Sequence, residues 1–211
     1  MYNYIEITPF LEIVGRIERV VMQYQPVSAL RMIEEDEATG EVAQMYADIR
    51  REMGLPYIPN AAKAMAVSPA ALGIFCDITR SYDRRASLPQ SLISMILYTI
   101  AKTSDCKYCS ATNELACRTF GVDEDALETL AEDLPSFTPQ RVRVIIEFAL
   151  KVAHDRKNLV AEDYEKVRTQ GISEAELVEI ILIAAIGVLN DTVADALMIE
   201  VDNEVIEALG R

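Results

Sequence analysis

Tryptophan is missing from this 211-residue chain and histidine occurs once, as His154. With no second histidine, a histidine-built metal cage is excluded. Positive charge is also scarce: 20 Lys and Arg stand against 34 Asp and Glu, for a formal net charge of −14. No basic cluster offsets it. Phosphate backbones and anionic membrane surfaces are therefore repelled, which argues against nucleic acid and against a membrane as partner. Long apolar runs are lacking too. The most apolar stretch, Ile180 to Leu189 between Glu179 and Asp191, is about half of what a bilayer span needs and reads as a buried helix. There is no short-period repeat and no low-complexity tract. The four cysteines follow no signal-like N-terminus, so a cytoplasmic, thiol-reducing setting is expected, with no disulfide scaffold.

What the chain does have is a close cysteine pair, Cys106-Lys107-Tyr108-Cys109. Three-residue spacing puts both sulfurs on one helix face about 5 Å apart, close enough to bridge. Ser104 reads as the N-cap, which places Cys106 in the first turn, where the helix dipole favours thiolate. Cys109, a turn further in, is expected to be the more buried of the two. Two plainer readings compete: a zinc half-site, and two small buried residues. Zinc needs further ligands. Cys117 sits about 16 Å along the helix from Cys106, too far to share an ion. Cys76 and Cys117 read as buried small residues, and the Met residues as core.

Helical periodicity dominates, and the chain reads as all-α. One domain is expected over 1–211, with residues 1–35 as an N-terminal helical extension and 36–211 as the core. Thr8-Pro9 starts the first helix, ended by Pro26. Further helices are expected at about 40–53, with Gly54 as the stop, then from Ser68-Pro69 to about Asp83 and from Leu88-Pro89 to about Thr103. The cysteine helix spans about Asp105 to Phe120, and others follow at about 124–132, 139–156 and 161–169. Ser173 and Glu176 form a capping box opening a long apolar segment, expected to break near Asn190-Asp191 into two helices.

The stretch from Leu88-Pro89 through Cys106-Lys107-Tyr108-Cys109 to Gly121-Val122-Asp123 resembles the alkyl hydroperoxidase D-like branch of the carboxymuconolactone decarboxylase superfamily. Met53-Gly54-Leu55-Pro56 and Ser68-Pro69-Ala70-Ala71-Leu72 are similar to the preceding region of its longer members. The resemblance implies an alkyl hydroperoxidase D-like helical bundle in a homo-oligomer, with thiol peroxidase or disulfide reductase activity; such chemistry needs no bound cofactor, and no metal is expected. The resemblance also implies that Cys109 attacks and Cys106 resolves. Where that branch carries a relay histidine and glutamate, this chain has Asn113 and Ser94. Neither can take a proton at neutral pH, so peroxide chemistry should be slowed by about a hundredfold to ten-thousandfold. Thiol exchange depends less on a relay.

The expected function is thus a thiol-dependent oxidoreductase acting through Cys106 and Cys109, with Asn113 and Ser94 at the altered relay. Its partners would be a small hydroperoxide, or a partner disulfide or dithiol reductant. The alternatives are a catalytically silent oligomeric binding protein and a carboxymuconolactone decarboxylase-like enzyme. Among neighbouring polar residues, Tyr98 reads as packing, Glu114 as solvated, and His154 as a partly exposed helix residue.

Overall fold

The structure, a computed structural model, describes residues 28–211, apart from the side chains at positions 83 and 84. The helix expected from Thr8-Pro9 lies outside the described residues. Ten α-helices and no strand occur among them: α1 Gly40–Met53, α2 Asn60–Met65, α3 Pro69–Arg85, α4 Gln90–Thr103, α5 Lys107–Thr119, α6 Glu124–Glu132, α7 Gln140–Asp155, α8 Ala161–Arg168, α9 Glu174–Ala196 and α10 Asn203–Ala208.

α4 is the axis of the bundle, and its sequence explains why. Every residue from Leu92 to Ala101 is buried, so this helix is apolar all round and needs neighbours on every side. α5, α9 and α7 supply them. Fully burying one Ile or Leu is worth about 1.5–3 kcal/mol, and Ile93, Ile96 and Ile100 all sit at 1% exposure or less. A second apolar cluster joins α1 and α2 to Cys106, Tyr108 and Cys109.

Boundaries follow local chemistry. Gly54 adopts the left-handed φ of 65° and closes α1 by donating to the Arg50 carbonyl, as a glycine stop does. The Ser173 hydroxyl accepts from the Glu176 N–H while the Glu176 carboxylate accepts from the Ser173 N–H, so α9 begins at the expected capping box. The tail of the expected extension is held down where it is described. Ser28 donates to the Leu197 carbonyl at 3.0 Å, and Ile33 N–H to Lys63 O at 3.1 Å.

Two expectations need correction. The C-terminal segment does not break near Asn190-Asp191: α9 runs unbroken for 23 residues, because Asp191 points inward at 5% exposure instead of ending the helix in water. The chain turns later. Met198 takes the left-handed conformation, and Ile199 N–H reaches back to Ala194 O at 3.0 Å, a Schellman stop. Length and composition alone make α9 the one described helix able to cross a membrane, and it packs against α4 and α7 along its buried side. Glu114, expected in solvent, is 6% exposed and lies between Arg118 and Arg211, both at 2.9 Å or closer. The C-terminal arginine folds back and neutralises it.

Gly187 sets how near α9 comes to α4. A Cβ there would lie 3.2 Å from two Ile100 side-chain atoms, tighter than ordinary packing. Asp191 is one helical turn further on, on the same face.

Candidate active site

The cysteine pair is placed by the turn that ends α4. Asp105 occupies the left-handed region at φ 57°, which short polar residues tolerate better than most. The Asp105 N–H donates to Lys102 O at 3.3 Å and the Cys106 N–H to Ala101 O at 3.0 Å, the bond pair of a Schellman motif. In that motif the residue after the left-handed one packs back on the helix. Cys106 and Ala101 are accordingly both fully buried, in one cluster.

Three expectations change here. Ser104 is not an N-cap; it is the C-cap that follows Thr103 at the end of α4, with φ −83° and ψ −7°. Cys106 is itself the residue preceding α5, in extended conformation and with no capping hydrogen bond from its side chain. Cys109, rather than Cys106, therefore lies in the first turn. Burial is also reversed, since Cys106 is 0% exposed and Cys109 5%.

Electrostatics follow burial rather than the dipole. The Cys109 thiol is held protonated well above the usual range, first by its hydrogen bond with the Cys106 sulfur, then by burial, then by the electrostatics of the neighbouring Cys106 and Asp191. A thiolate favoured by the helix start is thus not the resting state of Cys109. The bond to Cys106 and burial together outweigh partial charges at a helix end.

The third member of the site is Asp191, expected from the sequence only as a flank of an apolar run and as part of a helix break. Its carboxylate and the sulfurs of Cys106 and Cys109 lie within 4.8 Å of one another, all three residues buried. Burial raises its pKa, against which hydrogen bonding to the Cys109 thiol and to the Ser104 hydroxyl pulls down. His154, exposed at the last turn of α7, adds the smallest of the named pulls on it. Asp191 Oδ2 is buried with no hydrogen-bond partner. The signal for Asp191 was available: a lone carboxylate one turn after a glycine, on the inward face of an otherwise uncharged helical stretch.

The expected relay residues make no described hydrogen bond to the sulfurs or carboxylate of this trio. Asn113 is on the cysteine face of α5, but its amide donates to the backbone carbonyl of Cys109 at 2.8 Å rather than to a sulfur. Ser94 is buried on α4 at 4% exposure, and no hydrogen bond from it to either sulfur is among those described. Tyr98, further along α4, is core, its phenol pushed up to about 12 by burial. Cys117 is fully buried in the main core and Cys76 is half-buried.

The middle of the motif is anchored separately. Tyr108 donates its hydroxyl to Asp202 Oδ2 at 3.1 Å and accepts from the Ala61 N–H at 3.3 Å. Asp202 Oδ1 accepts from the Asn60 N–H at 2.6 Å. One tyrosine thus ties the cysteine turn to α2 and to the segment before α10.

Solved structures share this arrangement of helices. A peroxidase-related protein from Ralstonia eutropha, described as an alkylhydroperoxidase AhpD core, superposes with a TM-score of 0.78 over 86% of this chain and 96% of its own, at 20% identity. The chain has the alkylhydroperoxidase AhpD-core fold. A peroxidase-related protein from Silicibacter sp. with the same fold gives 0.77 over 86% and 95%, at 21% identity. The debrominase Bmp8, solved in complex with 2,3,4-tribromopyrrole, gives 0.72 over 86% and 96%, at 16% identity. No protein-family model matches the sequence, and no curated protein matches it. The all-α, alkyl hydroperoxidase D-like bundle expected from the cysteine motif is the fold found.

Proposed function

We propose that this AhpD-like chain is a thiol oxidoreductase that cycles Cys106 and Cys109 between dithiol and disulfide, with Asp191 taking the proton that Cys109 must lose. The observation that carries the reading is the buried carboxylate against the Cys109 thiol. Asn113 and Ser94 cannot act as bases. Asp191 can, and burial makes it a stronger base than an ordinary aspartate.

With a hydroperoxide as substrate, the Cys109 proton passes to Asp191 as the sulfur attacks the terminal peroxide oxygen. The O–O bond breaks, Cys109 becomes a sulfenic acid, and the alcohol leaves with the returned proton. Cys106 then attacks the Cys109 sulfur, water departs, and the disulfide forms. Two electrons from an external dithiol restore the pair. A partner disulfide in place of the peroxide enters by the same attack on sulfur. Cys109 serves as the attacking sulfur because it is the more accessible of the two. The debrominase among the similar structures is a reminder that this fold hosts more than one chemistry.

The runner-up reading is a silent binding protein, favoured by the protonated, buried Cys109. Exposure of the reduced protein to hydrogen peroxide and alkyl hydroperoxides, with the disulfide located by mass spectrometry, separates the two. Turnover that is abolished in Cys109→Ser supports the oxidoreductase; full turnover in that variant sinks it.

We further propose that the chain works as a homo-oligomer in the cytoplasm, with a second copy on the outer face of α9. Val178, Leu182 and Leu189 are exposed there at the four-and-seven spacing of a helix seam, and no charge occurs between Glu179 and Asp191 on a chain of net −14. Self-repulsion is least on that face. Sedimentation of Leu182→Glu should show a lower mass than the native chain; a native chain that sediments as a monomer removes the proposal.

A further inference from the structure

The trio at the redox site has the composition of a cation site as well as of a proton relay. Two sulfurs and one carboxylate oxygen converge within 4.8 Å from three buried residues. Asp191 Oδ2 has no hydrogen-bond partner, although buried carboxylate oxygens ordinarily find one. A buried carboxylate that faces two thiols and keeps one oxygen unpaired is what a bound cation would satisfy. We infer that the reduced dithiol and Asp191 form a capture site for one zinc-class cation, which holds the enzyme in its reduced, unreactive state. The inference concerns the same residues as the proposed oxidoreductase but rests on donor geometry alone.

Donor chemistry selects the ion. Thiolate ligands favour zinc and similar borderline or soft cations, while calcium takes six to eight oxygens and magnesium an octahedral oxygen shell. A tetrahedral zinc with sulfurs at about 2.3 Å and oxygen at about 2.1 Å sets its donors about 3.5–3.8 Å apart. Closing by about 1 Å from the observed limit therefore completes three of four positions, leaving the fourth to water. Missing from the sequence reading was a third ligand, since Cys117 is too far along α5; Asp191 supplies it from α9.

Capture moves no electrons. Two S–H bonds break, two zinc–sulfur bonds form, and the two protons go to solvent, so uptake strengthens as pH rises. While the ion is held, neither sulfur can attack a peroxide or pair with the other. Oxidation in turn excludes the ion, because a disulfide offers no thiolate. The site would report metal and oxidant as alternatives.

The test uses reduced, chelator-stripped full-length protein without oxidant. Titration with cobalt should give one bound equivalent with thiolate-to-cobalt charge-transfer absorption, displaced by one equivalent of zinc. Cys109→Ser should lose the charge-transfer band, and Asp191→Asn should bind more than tenfold more weakly, about 1.4 kcal/mol. Cys76→Ser, outside the site, should titrate like the native chain, and the disulfide form should bind nothing. Failure of the reduced native chain to bind cobalt or zinc would overturn the inference, as would Asp191→Asn binding within tenfold of native. Peroxide-driven disulfide formation that persists in a chain unable to bind metal rejects the capture site alone. Metal binding by a chain that never forms the disulfide rejects the oxidoreductase alone.

Discussion

Asp191 and Asp202 are the same residue type, eleven positions apart, buried to 5% and 2% exposure, and each meets one part of the Cys-Lys-Tyr-Cys turn. Burial raises the pKa of both. They differ in how their oxygens are used. Asp202 accepts from a backbone N–H with one oxygen and from the Tyr108 hydroxyl with the other. Asp191 faces two thiols and leaves Oδ2 unpaired. A carboxylate whose hydrogen bonds are filled holds structure together, whereas one left partly unfilled beside an ionisable thiol retains capacity for a proton or a cation.

The largest stability effect should come from the filled carboxylate. Asp202→Ala leaves the Asn60 N–H and the Tyr108 hydroxyl without their acceptor, at about 1–3 kcal/mol for each orphaned group. For a chain of this size about 1 kcal/mol moves the melting temperature by about 2–4 °C. Calorimetry should therefore show a drop of several degrees with the capacity to form the disulfide retained; an unchanged melting temperature would erase the contrast between the two aspartates. Tyr108→Phe removes the hydroxyl from both Asp202 Oδ2 and the Ala61 N–H but keeps the Asn60–Asp202 bond, so a loss of about 1–3 kcal/mol, at the lower end of that for Asp202→Ala, is expected by denaturant titration.

The mildest effect is in pH dependence. A buried carboxylate whose folded pKa is raised keeps its proton in the folded state to higher pH than in the unfolded chain. Its share of stability is therefore present below the unfolded value of 3.8 and is lost as pH rises through the folded value. Asp191→Asn removes that loss, so melting temperatures measured from acid to neutral pH should decline less in the variant than in the native chain. A steeper decline in the variant would mean that the charged form of Asp191 stabilises the fold.

Most of the helical frame was legible because it is written in local signals. Gly54, Ser68-Pro69 and the Ser173–Glu176 box each end or begin a helix by satisfying backbone groups within a few residues. α2 and α10 escaped because six residues make too short a periodic pattern. The site was legible only on the helix that carries the cysteines. Asp191 reaches them from a helix more than 80 residues away in sequence because Gly187 lets α9 approach α4, and spacing along one segment carries no trace of such a contact. The same limit explains Glu114, whose partner Arg211 comes from the end of the chain. The thiolate expectation attaches to Cys106 in the first turn of its helix, and the structure puts Cys109 there instead, its thiol held protonated by its bond to Cys106 and by burial.

The central claim is that Asp191 takes the Cys109 proton. Single-turnover disulfide formation with an alkyl hydroperoxide, comparing the native chain with Asp191→Asn at equal foldedness, tests it most directly. The account predicts a rate about a hundredfold to ten-thousandfold lower in the variant, with the melting temperature at neutral pH equal to or above native. A native rate in Asp191→Asn would contradict it.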